Sequence, residues 1–132
     1  MLPHDKGLGG HSDGDVLLHA ITDALLGAIA GPDIGALFPP SDPQWKNADS
    51  AVFLREALQR VKAAGYDVVN LDSTLILASP KIGPHADAIR KRVGELCGIP
   101  SDCVGVKAKT PEGMGTDNAA IANVAVLLKR AD

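Results

Sequence analysis

The first residues that could do chemistry share one face of an apolar segment. Asp15, His19 and Asp23 are spaced four residues apart, so in a helix they form a single polar stripe. An imidazole between two carboxylates fits a metal-ligating histidine whose ring is held by neighbouring acceptors. The same residues also fit a capping aspartate, a surface histidine and a solvent-facing aspartate. The stripe alone leaves both interpretations open.

Two further segments could bind phosphate. His11, Ser12 and Asp13 belong to the HSDGD segment, which is predicted to form the turn before a helix N-terminus, where backbone N–H groups and the helix dipole attract anions. The segment KAKTPEGMG, residues 107–115, combines lysine and hydroxyl donors with a carboxylate, a set that could hold a phosphate together with a hard divalent cation. A helix cap and an exposed strand end followed by a turn are the simpler interpretations of the two segments.

The helices that carry these residues are predicted by apolar residues at three- and four-residue spacing. They cover residues 15–30, 49–65 and 84–98. Asp49 and Ser50 provide capping chemistry at the start of the second helix, while Gly65 and Gly98 end the second and the third. The Gly- and Pro-rich segment 31–43 is expected to be a loop.

Strands are predicted where apolar and polar residues alternate. Residues 67–77 and 104–109 show this alternation, and the apolar run 119–128 fits a buried strand. In the first strand the following residues share one face: Val69, Leu71, Ser73, Leu75 and Leu77. The order helix, helix, strand, helix, strand, strand is most simply buried as a two-layer sandwich with helices on one face of a sheet.

Composition limits the possible functions. The chain of 132 residues is 45% hydrophobic but only 3% aromatic and has a formal net charge of −3, which predicts one domain with a core of Ala, Val, Leu and Ile. The mild acidity argues against nucleic-acid binding, and no apolar stretch is long enough to span a membrane. Cys97 and Cys103 match no zinc or redox motif, so we expect reduced thiols and a cytoplasmic location.

Together these segments resemble one family at the level of consecutive residues. The stretch HSDGDVLLHAITDALLGAIAGPDIGALFPPSDP is similar to the signature segment of the 2-C-methyl-D-erythritol 2,4-cyclodiphosphate synthases, ring-closing enzymes of the non-mevalonate isoprenoid pathway. The similarity continues through ADSAVFLREAL and GYDVVNLDSTLILASPKIGPH to KAKTPEGMG, and it covers the chain from Lys6 onward. It implies an α/β sandwich of ferredoxin-like character, with one mixed sheet, and a homotrimer whose active sites lie between neighbouring subunits.

The resemblance also implies a reaction, the cyclisation of 4-diphosphocytidyl-2-C-methyl-D-erythritol 2-phosphate to 2-C-methyl-D-erythritol 2,4-cyclodiphosphate. The 2-phosphate attacks the β-phosphorus and CMP leaves. Because two anionic phosphates must approach each other, cations and oriented donors are expected to supply most of the catalysis. The implied cofactors are Zn²⁺ or a similar divalent cation, and Mg²⁺ or Mn²⁺ with the substrate. No nucleic-acid or membrane partner is implied.

Individual residues take roles through this resemblance. His19 matches the zinc-binding histidine, Glu112 matches the ligand of the second cation, and His11 and Thr110 stand where transition-state stabilisers are expected. Residues implied to contact the erythritol part and its phosphate are His11, Ser12, Asp33, Ile34, Gly35, Phe38, Pro39, Pro40, Ser41 and Asp42. Those implied to contact cytosine and the α- and β-phosphates are Leu77, Pro80, Lys81, Ile82, Gly83, Lys109, Thr110, Pro111 and Glu112.

One departure from the family concerns the metal site. The family begins with a strand that ends in an Asp-x-His motif, whose two side chains complete the zinc site, and Met1–Lys6 contains no such motif. By the usual lengths of strands and turns, roughly thirty family residues are then expected to be missing. Because a catalytic zinc normally takes three protein ligands, we expect the single domain 1–132 to be N-terminally incomplete and to bind zinc poorly. A start site assigned too late, or a trimmed chain, is the expected origin.

Two other functions fit the same residues. A catalytically impaired trimer that binds nucleotide or phosphate would result if two zinc ligands are missing from this chain. A structural trimer holding an isoprenoid-like ligand in a hydrophobic centre is the other alternative, and it predicts that changes at His11 or Thr110 leave the function intact. Zinc content and CMP binding distinguish the enzyme from the first alternative.

Overall fold

The computed structural model describes residues 10–39, 41, 49–76, 85–109 and 121–132 of the chain. Its helices are α1 (Gly10–Ala28), α2 (Ile34–Leu37), α3 (Ser50–Ala63) and α4 (Ala86–Cys97), and a 3₁₀ turn covers Ser101–Cys103. Its strands are β1 (Tyr66–Ile76), β2 (Val104–Lys109) and β3 (Ile121–Arg130). The predicted order of elements is confirmed, with α2 and the 3₁₀ turn as additions within predicted loops.

Capping interactions set the ends of α3 and α4. The Asp49 side chain accepts a hydrogen bond from the Ala51 N–H at 2.9 Å and starts α3. Gly65, with φ 94°, follows α3, and Gly98, with φ 72°, ends α4. Both glycines take the left-handed backbone that closes a helix without strain. The predicted ends of these two helices are confirmed.

The start of α1 corrects a prediction. The sequence analysis places His11–Asp15 in a turn before the helix, whereas α1 begins at Gly10 and includes that segment. No proline interrupts it, and both Asp13 and Asp15 fall within the first two turns, where a carboxylate suits the positive end of the helix dipole. Composition that favours a cap therefore also favours the first turns of the helix itself.

The strand β1 is the centre of a three-stranded mixed sheet with the order β2-β1-β3. It runs parallel to β2, with Ile76 opposite Lys109, and antiparallel to β3, with Ile76 also opposite Ile121. A parallel pair needs a crossover connection, and α4 lies in that connection. The carboxyl ends of β1 and β2 consequently meet at one edge of the sheet.

Helices cover one face of this sheet. The buried cluster joins three helices and two strands through Leu17, Leu18, Ile21, Leu25, Leu26, Leu54, Ala57, Val61, Leu71, Leu75, Ile89, Val93 and Val104. No aromatic residue belongs to this cluster among the described residues, in agreement with the predicted aliphatic core. On the opposite face Asn70, Asp72 and Leu127 are exposed. The two-layer α/β arrangement is therefore confirmed for the described part of the chain.

A β-bulge changes which residues of β1 face the core. The pairing of β1 with β3 shifts between Val68 and Asn70, and the extra residue inverts the alternation on the N-terminal side of the bulge. Tyr66 and Val68 therefore pack against the core, whereas the sequence analysis places Val69 on that face. Leu71, further along the strand, is buried as predicted.

The strand β3 is less buried than predicted. The apolar run 119–128 predicts a buried strand, but β3 covers Ile121–Arg130, lies at an edge of the described sheet and alternates between half-buried and exposed residues. Leu127 is 55% exposed. An apolar run cannot reveal that helices cover only one face of the sheet.

None of the helices in the described part of the chain combines the length and the apolar character needed to cross a membrane.

Two helical glycines predict opposite effects of the same substitution. A Cβ added to Gly94 in α4 would lie 2.7 Å from the Ile99 carbonyl oxygen, whereas one added to Gly27 in α1 meets no described atom within 4 Å. We expect Gly94→Ala to lower the free energy of unfolding by about 1–3 kcal/mol, because backbone must move. Gly27→Ala should raise it by about 0.5–1 kcal/mol, because alanine is the better helix former. Urea unfolding at equal protein concentration measures both, and changes of the same sign would contradict this packing.

Cys97 predicts a pH-dependent term in stability. Burial raises the pKa of its thiol from the ordinary 9.0 to about 11. The unfolded chain releases this proton above about pH 9 while the folded chain retains it, so the contribution to stability is present below pH 9 and is lost as pH rises towards 11. At pH 8 iodoacetamide should alkylate native Cys97 about 100-fold more slowly than the unfolded chain, because the thiolate fraction is smaller by that factor. Mass spectrometry of the labelled peptide measures the rates, and equal rates would show that the thiol is accessible.

Candidate functional site

His19 lies on the exposed side of α1 and contacts the start of α3. Its Nε2 atom is 3.2 Å from the Ser50 Oγ, and either group donates, depending on the tautomer of the ring. Within the described part of the chain no hydrogen bond to Nδ1 is found. A neutral ring nitrogen of this kind is a common zinc ligand. The structure thus holds the exposed His19 side chain by its Nε2 atom.

Two phenylalanine rings extend this contact to α2. The ring centroids of His19 and Phe53 are 5.9 Å apart, and those of Phe53 and Phe38 are 4.7 Å apart. Phe38, directly after α2, is only 6% exposed, so its ring is fixed by packing. Through these rings α1, the end of α2 and the first turns of α3 form one cluster, which we call the His19 group (His19, Phe38, Ser50 and Phe53).

Two aspartates fix α2, one from α1 and one as its own N-cap. Asp23 Oδ1 accepts a hydrogen bond from the Ile34 N–H at 2.9 Å, and Asp33 Oδ1 accepts one from the Ala36 N–H at 2.8 Å as the N-cap of α2. Both bonds satisfy backbone N–H groups at the start of this short helix. Neither interpretation of the polar stripe anticipated the bond from Asp23. The polar contact of the His19 ring comes from Ser50, a residue that the sequence analysis considered only as part of a helix start.

The residues implied to contact the erythritol part lie partly within the described chain. Asp33, Ile34, Gly35, Phe38, Pro39 and Ser41 lie on α2 or within four residues of its end. The Phe38 ring connects this segment to the His19 group, and the hydrogen bond from the Ile34 N–H to Asp23 connects it to α1. His11 and Ser12 lie in α1, but their side chains are outside the described part of the structure. Pro40 and Asp42 also lie outside it.

The second set of predicted residues begins at one edge of the sheet. Ile76 and Lys109 are the paired last residues of the parallel strands β1 and β2, so the segments that follow both strands start side by side. Lys109 is exposed at this edge. The remaining members of the set lie outside the described residues: Leu77, Pro80, Lys81, Ile82, Gly83, Thr110, Pro111 and Glu112.

Lys107 is occupied by an ion pair within the sheet. Its Nζ atom lies 2.5 and 2.6 Å from the two carboxylate oxygens of Asp72, on the face away from the helices. Gly105 makes room for this pair, because a Cβ at that position would overlap the Asp72 carboxylate. Of the two lysines in the predicted phosphate segment, Lys109 is therefore the better placed to meet a ligand.

The donor set for a metal is incomplete within the described residues. No group of three or more His, Cys, Asp or Glu side chains that could hold a metal occurs among them. His19 has the chemistry of one zinc ligand, whereas a catalytic zinc takes three from the protein. The described residues thus fit one ligand of such a site and not the whole of it.

A cavity of about 310 Å³ lies at the opposite end of β1 from Ile76. The ends of α3 and α4 and the start of β1 line it, with Val61, Tyr66, Cys97 and Ile99 among its walls. None of the predicted site residues contributes to it. The cavity is therefore separate from both the His19 group and the strand ends.

Comparison with known proteins relates these features to a family. The model of the YgbB family matches residues 1–129. A 2-C-methyl-D-erythritol 2,4-cyclodiphosphate synthase of Koribacter versatilis is 60% identical over 129 residues, and the match covers 98% of this chain and 83% of that relative. The chloroplastic synthase of Oryza sativa subsp. japonica is 51% identical over 132 residues, 98% of this chain and 60% of the plant protein.

Solved structures share the fold. A 2C-methyl-D-erythritol-2,4-cyclodiphosphate synthase superimposes with a TM-score of 0.84 at 45% identity, covering 91% of this chain and 79% of the solved one. A form with bound CDP gives 0.84 at 43% identity, with coverages of 91% and 79%. A CDP complex of Plasmodium falciparum IspF gives 0.77 at 36% identity, with coverages of 93% and 76%. From the match along nearly its whole length and from the shared fold, the chain belongs to the YgbB family, whose similar members are named 2-C-methyl-D-erythritol 2,4-cyclodiphosphate synthases.

Proposed function

We propose that the chain converts 4-diphosphocytidyl-2-C-methyl-D-erythritol 2-phosphate to 2-C-methyl-D-erythritol 2,4-cyclodiphosphate and CMP, a lyase reaction of isoprenoid precursor biosynthesis. The observation that carries this proposal is the 60% identity with a curated synthase over 98% of the chain. The similar structure with bound CDP supports a ligand that contains a cytidine diphosphate. The His19 group and the strand ends supply the two sets of residues that such a substrate requires.

The proposed reaction is an internal phosphoryl transfer. An oxygen of the 2-phosphate forms a bond to the β-phosphorus, the bond from that phosphorus to the oxygen bridging the α-phosphate breaks, and CMP leaves with the electron pair. Repulsion between the two anionic phosphates is the main barrier, so fixed positive charge and oriented donors lower it most. Lys109 is the described cation at the strand ends, beside the segment that holds Thr110 and Glu112.

The α2 turn is proposed to bind the erythritol part. Asp33 and Gly35 are exposed on it. The hydrogen bond that Asp23 accepts from the Ile34 N–H fixes the position of the turn on α1, and the one that Asp33 accepts from the Ala36 N–H fixes the turn itself. Folding a flexible substrate back on itself needs such rigid positioning, because a small displacement of reacting atoms costs much of the rate. In this proposal Asp23 acts through the turn and not on the substrate.

The metal ions belong to the proposal as well. His19, together with donors outside the described residues, would hold a zinc ion or similar divalent cation, and Glu112 would hold Mg²⁺ or Mn²⁺. When bound, these ions supply charge that polarises the phosphate oxygens. The exposure of the His19 side chain, with its Nε2 atom bonded to Ser50, supports the zinc assignment.

A homotrimer with ferredoxin-like subunits and shared active sites is the proposed assembly. The sheet face away from the helices exposes Ile121 by 37% and Leu127 by 55%. Apolar side chains on an open face favour association with another copy.

A nucleotide-binding trimer without turnover is the second candidate. A similar structure holds CDP, which fits nucleotide binding with or without turnover. The second candidate predicts CDP binding without bound zinc and without CMP release. The first experiment below separates the two candidates.

His19→Ala should reduce kcat/KM at least 1,000-fold, because removing a metal ligand removes charge stabilisation at the reacting phosphate. Zinc content should fall from about one per subunit to near zero, while calorimetry should show CMP affinity within about threefold of the unaltered chain, because CMP lacks the β-phosphate at which the metal is proposed to act. The matched control is His85→Ala, which alters a histidine at the start of α4 that makes no capping hydrogen bond, and it should leave kcat/KM within about twofold.

Three outcomes are decisive for this pair of variants. Unchanged turnover in His19→Ala would contradict the metal role of His19. CDP binding by the unaltered chain with no zinc and no CMP release would favour the non-catalytic trimer. No CDP binding at all would overturn the proposed substrate class.

Asp23→Ala should raise KM about tenfold with a smaller change in kcat, because the α2 turn loses its bond to α1 while the reacting groups remain. The free energy of unfolding should fall by about 1 kcal/mol, the usual net value of one hydrogen bond. Asp23→Asn keeps a carbonyl oxygen that can accept the Ile34 N–H and should restore KM. Steady-state kinetics measures the effect, with Asp87→Ala as the control, since Asp87 is an exposed aspartate that pairs with Arg90 on α4. A loss confined to kcat would show that Asp23 acts on the chemical step instead.

A further inference from the structure

We infer that Ser50 is a positioning residue for His19, whose imidazole it holds in the Nε2–H tautomer so that Nδ1 is the nitrogen presented to a metal. The inference rests on the proposed metal role of His19 and deepens it. The hydrogen bond between Ser50 Oγ and His19 Nε2, 3.2 Å long, joins residues 31 positions apart in the chain.

Ser50 is suited to hold a ring in place. It is the first residue of α3 and is only 4% exposed, although the imidazole that it contacts is on the exposed side of α1. The Asp49 carboxylate, not the Ser50 hydroxyl, accepts the hydrogen bond from the Ala51 N–H that caps α3. The N-cap hydrogen bond of α3 thus comes from Asp49.

The chemistry of imidazole then selects one nitrogen. A neutral ring carries its proton on one nitrogen and a lone pair on the other, and only the lone pair can bind a metal. If Nε2 donates its proton to the Ser50 hydroxyl oxygen, the lone pair lies on Nδ1. A metal bound at Nε2 would instead have to displace a buried hydroxyl group. Hydrogen bonds of this type commonly fix both the tautomer and the orientation of a metal-binding histidine.

A second contact prevents rotation of the ring. Phe53 follows Ser50 by three residues, so both side chains lie on the same face of α3. The Phe53 ring is tilted by 52° against the imidazole at a centroid distance of 5.9 Å. The ring of Phe38, directly after α2, in turn contacts the Phe53 ring. One hydrogen bond and one ring contact, both from the first turn of α3, determine how the imidazole is turned.

The test is ¹⁵N NMR of the metal-free, ligand-free chain at about pH 8.5, where an ordinary imidazole is neutral. The sequence contains four histidines, and His19→Ala identifies the His19 signals. Long-range ¹H–¹⁵N spectra should show His19 as a single Nε2–H tautomer. In Ser50→Ala the Nδ1–H fraction should rise several-fold and both nitrogen shifts should move towards their averaged values. Ser50→Thr retains a hydroxyl and should restore the original pattern.

Ser73→Ala is the matched control. Ser73 is a serine of 1% exposure whose hydroxyl donates to the Gly105 carbonyl at 2.8 Å, so the variant deletes a buried, hydrogen-bonded hydroxyl that does not contact His19. It should leave the His19 nitrogen shifts unchanged. If Ser50 had only a structural role, Ser50→Ala and Ser73→Ala would change the His19 nitrogen shifts equally. That result would overturn the inference.

An Nδ1–H tautomer in the unaltered chain, or unchanged His19 signals in Ser50→Ala, would also overturn it. If Ser50→Ala does not fold, the tautomer of the unaltered chain and that of Ser50→Thr decide the question. The spectra need neither zinc nor turnover. A failure of the proposed enzyme activity therefore remains distinguishable from a failure of this inference.

Discussion

The close packing of α1 against α3 is the constraint on which the rest of the structure depends. Ile21 on α1 and Leu54 and Ala57 on α3 have no exposed surface, and helices packed through such side chains lie about 8–10 Å apart. At that separation a side chain as short as Ser50 can reach His19 on the neighbouring helix. The aliphatic side chains that bring the two helices together, Ile21, Leu54 and Ala57, are thus a condition for the histidine contact.

The elements that the sequence predicts best are those whose ends are marked by local chemistry. Asp49 and Gly98 act within one turn of their own helices, so the helix ends that they set can be predicted without knowledge of the fold. The limits of β2 also follow from alternation alone. On β1 the shared face of Leu71, Ser73 and Leu75 is confirmed, but the inward face before Asn70 could not be predicted, because a bulge near Val69 depends on the pairing with β3. The exposure of β3 likewise depends on which elements cover the sheet, and an apolar run contains no information on that.

The site residues also divide into those marked by local sequence and those set by tertiary contacts. The spacing of Asp15, His19 and Asp23 predicts one polar side of α1, where His19 and Asp23 are exposed, and the resemblance to a family selects His19 within it. The partners of these side chains are tertiary: Ser50 is 31 residues from His19, and Ile34 is 11 residues from Asp23. Serine at a helix start and aspartate on a helix surface are common for unrelated reasons, so composition gave no sign of either contact. The structure therefore adds Ser50 and Asp23, which hold other residues in place, and not residues proposed to react.

The parallel pairing of β1 with β2 has a consequence for how mutations far from the ligand act. Ile76 and Lys109 end in register, so a slip of one residue would displace Lys109 by about 3.3 Å and turn its side chain to the helix-covered face. If nucleotide binds at the strand ends, as proposed, its affinity reports on the alignment of the two strands. Any ligand that bridges the strand ends also favours the aligned sheet by mass action, and the protein is then most resistant to misregistration when that ligand is abundant.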